Sequence, residues 1–279
     1  MSGTSGLRVE QTIDKLSLAV SLTDDYTARA AAAGSVAVAI PELNLTAMRN
    51  LSGYYLFINI PVGSYTVTAD ADYYFPASSS VDTSKLDPLN PVLAITLKPC
   101  PSYPFPSEAT LLRGGVRDGT GKALQGASLV TTVLGPDSSI KATLVIAVAK
   151  GAQAISLSNI VGSINAGDLL LVKDANPFAQ EFIKIATVPT DQAQPFSLLQ
   201  GLQFAHASGT DLYLLVAGPN VLNTVTDERG EFVVYLNQVK VSLFMASVNV
   251  SHAQSTPVVK EVAVVEGESS SLGLIQLTV

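Results

Sequence analysis

Apolar side chains recur at every second position along most of this chain. Leu16, Leu18, Val20 and Leu22 alternate with Ser17, Ala19 and Ser21, and Val36, Val38 and Ile40 repeat the pattern. A period of two sends one row of side chains inward and the other outward, as in a half-buried β-strand. The best helical candidate, Ala30 to Ala33 followed by Gly34, is too short to nucleate a free helix and is expected as a loop or one docked turn. The expected fold class is therefore all-β.

Proline and glycine divide the strands. Gly53 to Ile60 and Tyr65 to Ala69, separated by Pro61 and Gly63, read as a hairpin, and Val92 to Leu97 reads as the strand that closes a first module, residues 1–98. Pro99, Pro101, Pro104 and Pro106 follow. Prolines this dense remove ladder donors and favour extended backbone, so 99–106 is expected as a stiff spacer, with a ligand for aromatic-grooved domains as the alternative. A chain of 279 residues has room for two or three small domains. The second module opens at Leu111 to Val116, turns at Asp118 to Gly121 and continues through Ser128 to Leu134. Its completing strands arrive only after Val216, beginning with Thr226 to Phe232 and continuing with Val241 to Val250, Val258 to Val265 and Leu272 to Val279.

The module is thus discontinuous, 107–136 with 216–279. Residues 137–215 form an insert with five short strand signals of its own, at Ala154 to Leu157, Asp168 to Val172, Phe182 to Val188, Phe196 to Leu199 and Asp211 to Val216. Such a set suits a small barrel or compact sandwich, and an exposed loop with close ends accepts an insertion without disturbing its host. With the insert set aside, an internal repeat emerges. Asn50 to Phe57 and Asp227 to Val234 each join a polar turn ending in glycine to an apolar strand.

Few chemistries find residues to carry them. The charge of −7 has no basic block, which argues against nucleic acid as a partner. Apolar runs fall well short of the roughly 20 residues of a spanning helix, so no direct membrane insertion is expected. Met1 to Gly6 lacks the basic and apolar regions of an export signal, and a lone Cys100 permits no internal disulfide; both fit synthesis in the cytoplasm. Cys100 reads as a spectator thiol. His206 and His252 have no histidine or cysteine at metal-ligand spacing and read as turn or strand-end residues.

No nucleophile elbow accompanies the serines, and Gly114, Gly115, Gly119 and Gly121 precede no helix that could cradle phosphate. The acid pairs Asp24 and Asp25, Asp70 and Asp72, and Asp227 and Glu228 read as solvated turns rather than a calcium cage. No catalytic, cofactor-binding or metal-binding residue is nominated, no cofactor is expected, and the chain is not expected to be an enzyme. Aromatic residues gather at Tyr54, Tyr55, Tyr65, Tyr73, Tyr74 and Phe75. Since neighbours on a strand face opposite sides, one of Tyr54 and Tyr55 and one of Tyr73 and Tyr74 should point outward, as a contact patch or as ordinary cross-strand packing.

The stretches Gly114 to Val130 and Thr226 to Phe232 resemble the carboxypeptidase regulatory-like, or transthyretin-like, sandwich family, and Ser52 to Pro76 carries a related signature. The resemblance implies two such sandwiches. The insertion departs from it, as does Asn237 to Lys240 in place of a proline and glycine turn. Through Ala166 to Asp174, Glu181 to Val188 and Leu202 to Leu215, the insert is similar to small barrel units of phage-tail-like and fibre proteins.

The whole arrangement is similar to accessory structural proteins of contractile injection systems. That resemblance implies a non-catalytic cap or adaptor subunit of an assembled particle, contacting other subunits and forming a homo-oligomeric ring. Only 14% of residues are charged against roughly a quarter in ordinary soluble domains, which suits a surface covered by partners. The alternative is a surface adhesin or carbohydrate-binding module, suggested by the outward tyrosines.

Overall fold

The computed structural model describes residues 15–31, 34–191, 194–237, 239, 241–253 and 255–278. The expectations for Met1 to Gly6, Ala32, Ala33, Gln238 and Lys240 lie outside these residues. The chain divides into two compact units, 1–105 and 106–279.

The first unit is built from β1 (Leu16–Asp24), β2 (Val36–Ile40), β3 (Leu45–Thr46), β4 (Met48–Arg49), β5 (Tyr55–Ile58), β6 (Ser64–Ala71), β7 (Ala77–Asp82) and β8 (Val92–Leu97). Two four-stranded sheets result, ordered β4-β5-β1-β8 and β3-β2-β6-β7. β1 runs antiparallel to β5 and parallel to β8. The alternating rows read from the sequence meet between the sheets, with Leu18, Val20, Val38, Ile40, Val67 and Leu97 all buried in one core.

Two expectations need correction. β5 and β6 lie in different sheets, so the stretch from Gly53 to Ala69 is a crossover between layers and not a hairpin. Alternation fixes which side chains must be buried, and a sandwich satisfies it equally well across the layers as side by side. The proline-rich stretch, expected as a stiff spacer between modules, packs on the first unit as far as Phe105. Tyr103 is buried and Phe105 lies against the same core, so the aromatic residues between the prolines anchor a segment whose backbone alone would stay extended.

The second unit comprises β9 (Leu111–Asp118), β10 (Ser128–Leu144), β11 (Ala154–Ile155), β12 (Leu157–Val161), β13 (Leu169–Lys173), β14 (Glu181–Thr187), β15 (Phe196–Leu198), β16 (Asp211–Val225), β17 (Glu231–Tyr235), β18 (Leu243–Ser251), β19 (Val258–Val265) and β20 (Ser269–Leu277). Its host sandwich repeats the first unit's strands except for β4. The layer β17-β9-β20 matches β5-β1-β8, including the antiparallel and parallel pairings. The run β16-β10-β18-β19 matches β3-β2-β6-β7. β17 and β18 are again a crossover between sheets.

The repeated turn is the same object in both copies. Asn50 N donates to Tyr54 O at 2.9 Å and Asp227 N to Glu231 O at 2.8 Å. The side chains close the turn alike: Asn50 Oδ1 accepts from Tyr54 N at 2.8 Å and Asp227 Oδ1 from Glu231 N at 2.8 Å. Gly53 and Gly230 supply the positive φ, +87° and +68°, that the turn requires.

In the first unit β2 and β3 are joined by the short 3-10 turn Pro41–Leu43 and Asn44. At the same place in the second unit stands the insert. It does not emerge from a loop, as expected from the sequence. β10 and β16 run unbroken through both expected boundaries as one antiparallel ladder, from Ser128 opposite Val225 to Thr143 opposite Asp211.

Between Asp137 and Lys141, β10 advances four residues while its partner advances one, leaving three extra residues looped out. An odd number of extra residues exchanges the faces of a strand. The inward row therefore passes from Leu129 and Thr131 to Ala142 and Leu144. The insert's sheet runs β12-β10-β16-β13-β14-β15-β11. Because Ser156 alone separates β11 from β12, the two ends of that sheet meet in a barrel-like roll. Its core is separate from that of the host and includes Leu170, Ile185, Phe196 and Leu212. Full burial contributes about 1.5–3 kcal/mol for each such side chain, so the insert holds itself together.

The turn glycines make a paired prediction. A Cβ on Gly230 would lie 2.7 Å from Val116 O, whereas one on Gly53 would meet nothing within 4 Å. Gly230→Ala is expected to cost about 2–5 kcal/mol and Gly53→Ala about 1–2 kcal/mol, read from urea unfolding followed by residue-resolved NMR.

Candidate functional site

Three places gather polar or accessible side chains in ways the strands alone do not require. The first is in unit 1. Asp24 ends β1 and is buried, although the sequence suggested a solvated turn acid. Its Oδ1 accepts from Tyr26 N at 2.7 Å and Thr27 N at 3.1 Å, and its Oδ2 from the hydroxyls of Tyr74, at 2.9 Å, and Tyr103. Four donors compensate the burial of this carboxylate. Burial, and then the carboxylate beside it, push the Tyr103 phenol far above its usual range. Tyr26, Tyr74, Tyr103 and Phe105 pack edge to face or tilted around the acid. The cluster fastens the proline-rich segment to its own module.

The second place is inside the insert. The His206 ring is wholly buried between two carboxylates: Nδ1 lies 2.9 Å from Asp174 Oδ2 and Nε2 lies 2.8 Å from Glu181 Oε1. Glu181 also accepts from the backbone N–H groups of Gln203 and Phe204, at 2.8 and 3.0 Å. Both ring nitrogens thus lie within hydrogen-bonding distance of a carboxylate. The His206 hydrogen bond, with the N–H of Asn176, holds the Asp174 carboxyl below its usual value. The carboxylates approach opposite edges of the ring, and among the described residues no hydroxyl or thiol hydrogen-bonds to it. The arrangement pins the loop before β16 to β13 and β14. Residue spacing did not reveal it, because the partners are 32 and 25 residues away.

The third place is open. A groove of about 690 Å³ lies between host and insert within unit 2, with Phe182, Tyr213, Leu215, Val241 and Leu243 along it and Lys173 at its side. The Lys173 ammonium lies 5.5 Å from the centre of the Tyr213 ring. Elsewhere, Lys184 of the insert pairs with Glu261 of β19 at 2.7 Å.

The remaining sequence candidates stay apart. Tyr55 and Tyr74 are buried while Tyr54 and Tyr73 are 38% and 40% exposed, so one member of each pair does face outward. Tyr65 donates to Pro61 O at 2.9 Å, and Phe75 is half-buried. Cys100 is half-buried beside the Ser102 hydroxyl, and His252 sits in the turn after β18. Asp25, Asp70, Asp72 and Glu228 are exposed, Asp72 accepts from Ser35 N at 2.8 Å, and Asp227 belongs to the repeated turn. Gly114 and Gly115 lie in β9. Among the described residues, no three His, Cys, Asp or Glu side chains converge as a metal would require, and no helix is long and apolar enough to cross a membrane.

No protein-family profile matches the sequence, and no curated protein matches it. Solved structures similar to it include the Bacillus anthracis TIE protein, at 10% identity and TM-score 0.24, over 94% of this chain and 33% of that one. A streptococcal ancillary pilin aligns at 12% identity and TM-score 0.27, over 95% of this chain and 69% of that one. The shaft pilin SpaA of Lactobacillus rhamnosus GG aligns at 9% identity and TM-score 0.25, over 95% and 98%. The chain thus spans about a third of the first of these proteins.

The buried triad yields a prediction in two parts. His206→Gln removes the shared hydrogen-bond partner of two carboxylates and is expected to destabilise the insert by about 1–3 kcal/mol, measured by hydrogen exchange at Leu170 and Ile183. Asp174 has a lowered folded pKa. Its contribution is therefore complete above the unfolded value of about 3.9 and is lost as pH falls through the lower folded value. Asp174→Asn is expected to flatten this part of the acid dependence.

Proposed function

We propose that this chain is a non-catalytic structural subunit that works through protein–protein contacts. Its place is in a contractile, phage-tail-like particle, as a cap or adaptor component within a homo-oligomeric ring. One observation carries the reading: a self-cored β unit continues from the β10–β16 ladder at a position where the sister module closes with a four-residue turn. The insert completes neither sandwich, so the part of its surface away from Lys184 and the host groove is left to serve a neighbour. The transthyretin-like resemblance of the modules, the phage-tail-like resemblance of the insert and the sparse charge support the same reading.

A second reading, a surface adhesin or carbohydrate-binding module, is favoured by a cavity in unit 1 beside the exposed Tyr54 and the cation Arg49.

The assembly reading is tested by replacing residues 135–216 with Pro-Glu-Leu-Asn, the segment that joins Ile40 to Leu45 in the first module. Leu134 and Ala217, which face each other in the ladder, then flank the turn. The shortened protein is expected to keep both sandwiches folded and to lose co-purification with tube and sheath subunits, checked by electron microscopy of purified particles. A full-length protein that never co-purifies with such particles overturns the reading.

A further inference from the structure

The two sandwich copies invite a residue-by-residue comparison, and at one site they differ in kind. Leu22 faces Ile95 as Val116 faces Ile275, and Asp24 faces Leu97 as Asp118 faces Leu277. The hydrogen bonds agree with this register. Asp24 N donates to Arg29 O at 2.8 Å as Asp118 N does to Lys122 O at 2.9 Å, and Ala31 N donates to Leu22 O at 3.2 Å as Leu124 N does to Val116 O at 3.1 Å. Thr23 therefore occupies the position of Arg117, and Ala31 that of Leu124. Counting from the shared turn, Arg49 occupies the position of Thr226 and Gly53 that of Gly230.

In the second copy this site is shut. Val116 N donates to Gly230 O at 2.7 Å, and Arg117 Nη1 bridges Val116 O and Arg229 O at 3.0 and 2.8 Å. Thr226 Oγ1 donates to Leu124 O and accepts from Ala127 N at 2.8 Å.

In the first copy the closing side chains are gone. Thr23 and Ala31 are shorter than Arg117 and Leu124, open space surrounds Gly53, and a cavity of about 230 Å³ takes the place of the bonds. Ser21, Thr23 and Ser52, each carrying a hydroxyl, line it with the half-exposed Tyr54 and with Arg49. No carboxylate is among its described lining residues. The Arg49 guanidinium lies 5.8 Å from the centre of the Tyr55 ring and has no hydrogen bond or ion pair among the described residues. Its donors are thus available on a chain whose overall charge is −7.

The geometry points to a binding site for a carboxylated sugar of the uronic acid class. A guanidinium matches a carboxylate with two parallel hydrogen bonds. The Tyr54 ring offers a face for the sugar's C–H surface, and the three hydroxyls exchange hydrogen bonds with ring hydroxyls as both donors and acceptors. The cavity falls below the roughly 300–1,000 Å³ of drug-sized sites, so it takes a single sugar residue and leaves the rest of a chain outside. The site lies in the first module and does not depend on the assembly role of the insert.

The test is an NMR titration of the intact chain with sodium glucuronate, glucose and sodium acetate, repeated on Arg49→Gln and on Thr23→Arg, which restores the closing side chain of the other copy. Glucuronate is expected to shift the amides of Ser21 to Thr23 and Ser52 to Tyr55 saturably. Glucose and acetate should bind at least roughly tenfold more weakly, and both variants should lose about tenfold or more in affinity while their other amides stay in place. Three results would each overturn the site: no saturable shift up to about 10 mM glucuronate, acetate binding as well as glucuronate, or Arg49→Gln binding as well as the parent. Because the shortened protein lacking 135–216 retains this cavity's residues, loss of sugar binding and loss of particle assembly are read separately.

Discussion

The antiparallel ladder between β10 and β16 is the element on which the second unit depends. At one end it supplies two strands of the host sheet, and at the other it supplies two walls of the insert. A strand that serves two cores must keep its apolar row on the buried side along its whole length. The three residues looped out near Ser138 solve this by exchanging parity on β10. On β16 the surplus between Ala217 and Val221 is two residues, an even number, so Leu222 in the host and Leu212 in the insert share parity without further adjustment. Backbone hydrogen bonding continues through the junction, which leaves few polar groups to be satisfied by a separate linker.

The fold was legible in the sequence where information is local. Alternation at Leu16 to Leu22 and the glycine-ended turns at Asn50 and Asp227 are short-range signals, and they placed the strands and the repeated turn. Partner choice between strands is not local. Nothing in Tyr55 to Ile58 or Ser64 to Ala71 says whether they lie side by side or across a sandwich, since both arrangements bury the same residues. The buried polar clusters were hidden for the same reason. Asp24 meets Tyr103 across 79 residues and His206 meets Asp174 across 32, and each looked like a turn residue when seen beside its sequence neighbours. The cavity of the first module became visible only by superposing registers, because Thr23 and Ala31 are unremarkable until set against Arg117 and Leu124.

Duplication explains why such divergence is tolerated. The core rows and the turn residues of the two copies are fixed by the same packing demands, while positions at the sandwich end face mostly water or one another. Replacing an arginine and a leucine by threonine and alanine there removes contacts without unpairing a buried charge, a change that costs little compared with a cavity in the core. One copy could then keep its end sealed while the other opened it.

The continuity of the ladder also determines how the insert carries mechanical load. A tug on the insert along the ladder enters the host through β10, an interior strand flanked by β16 on one side and β18 on the other. Seven facing residue pairs, from Ser128 opposite Ser251 to Leu134 opposite Met245, would then be strained together in shear instead of opening one after another. A domain hung from a flexible loop would transmit such a tug at a single point.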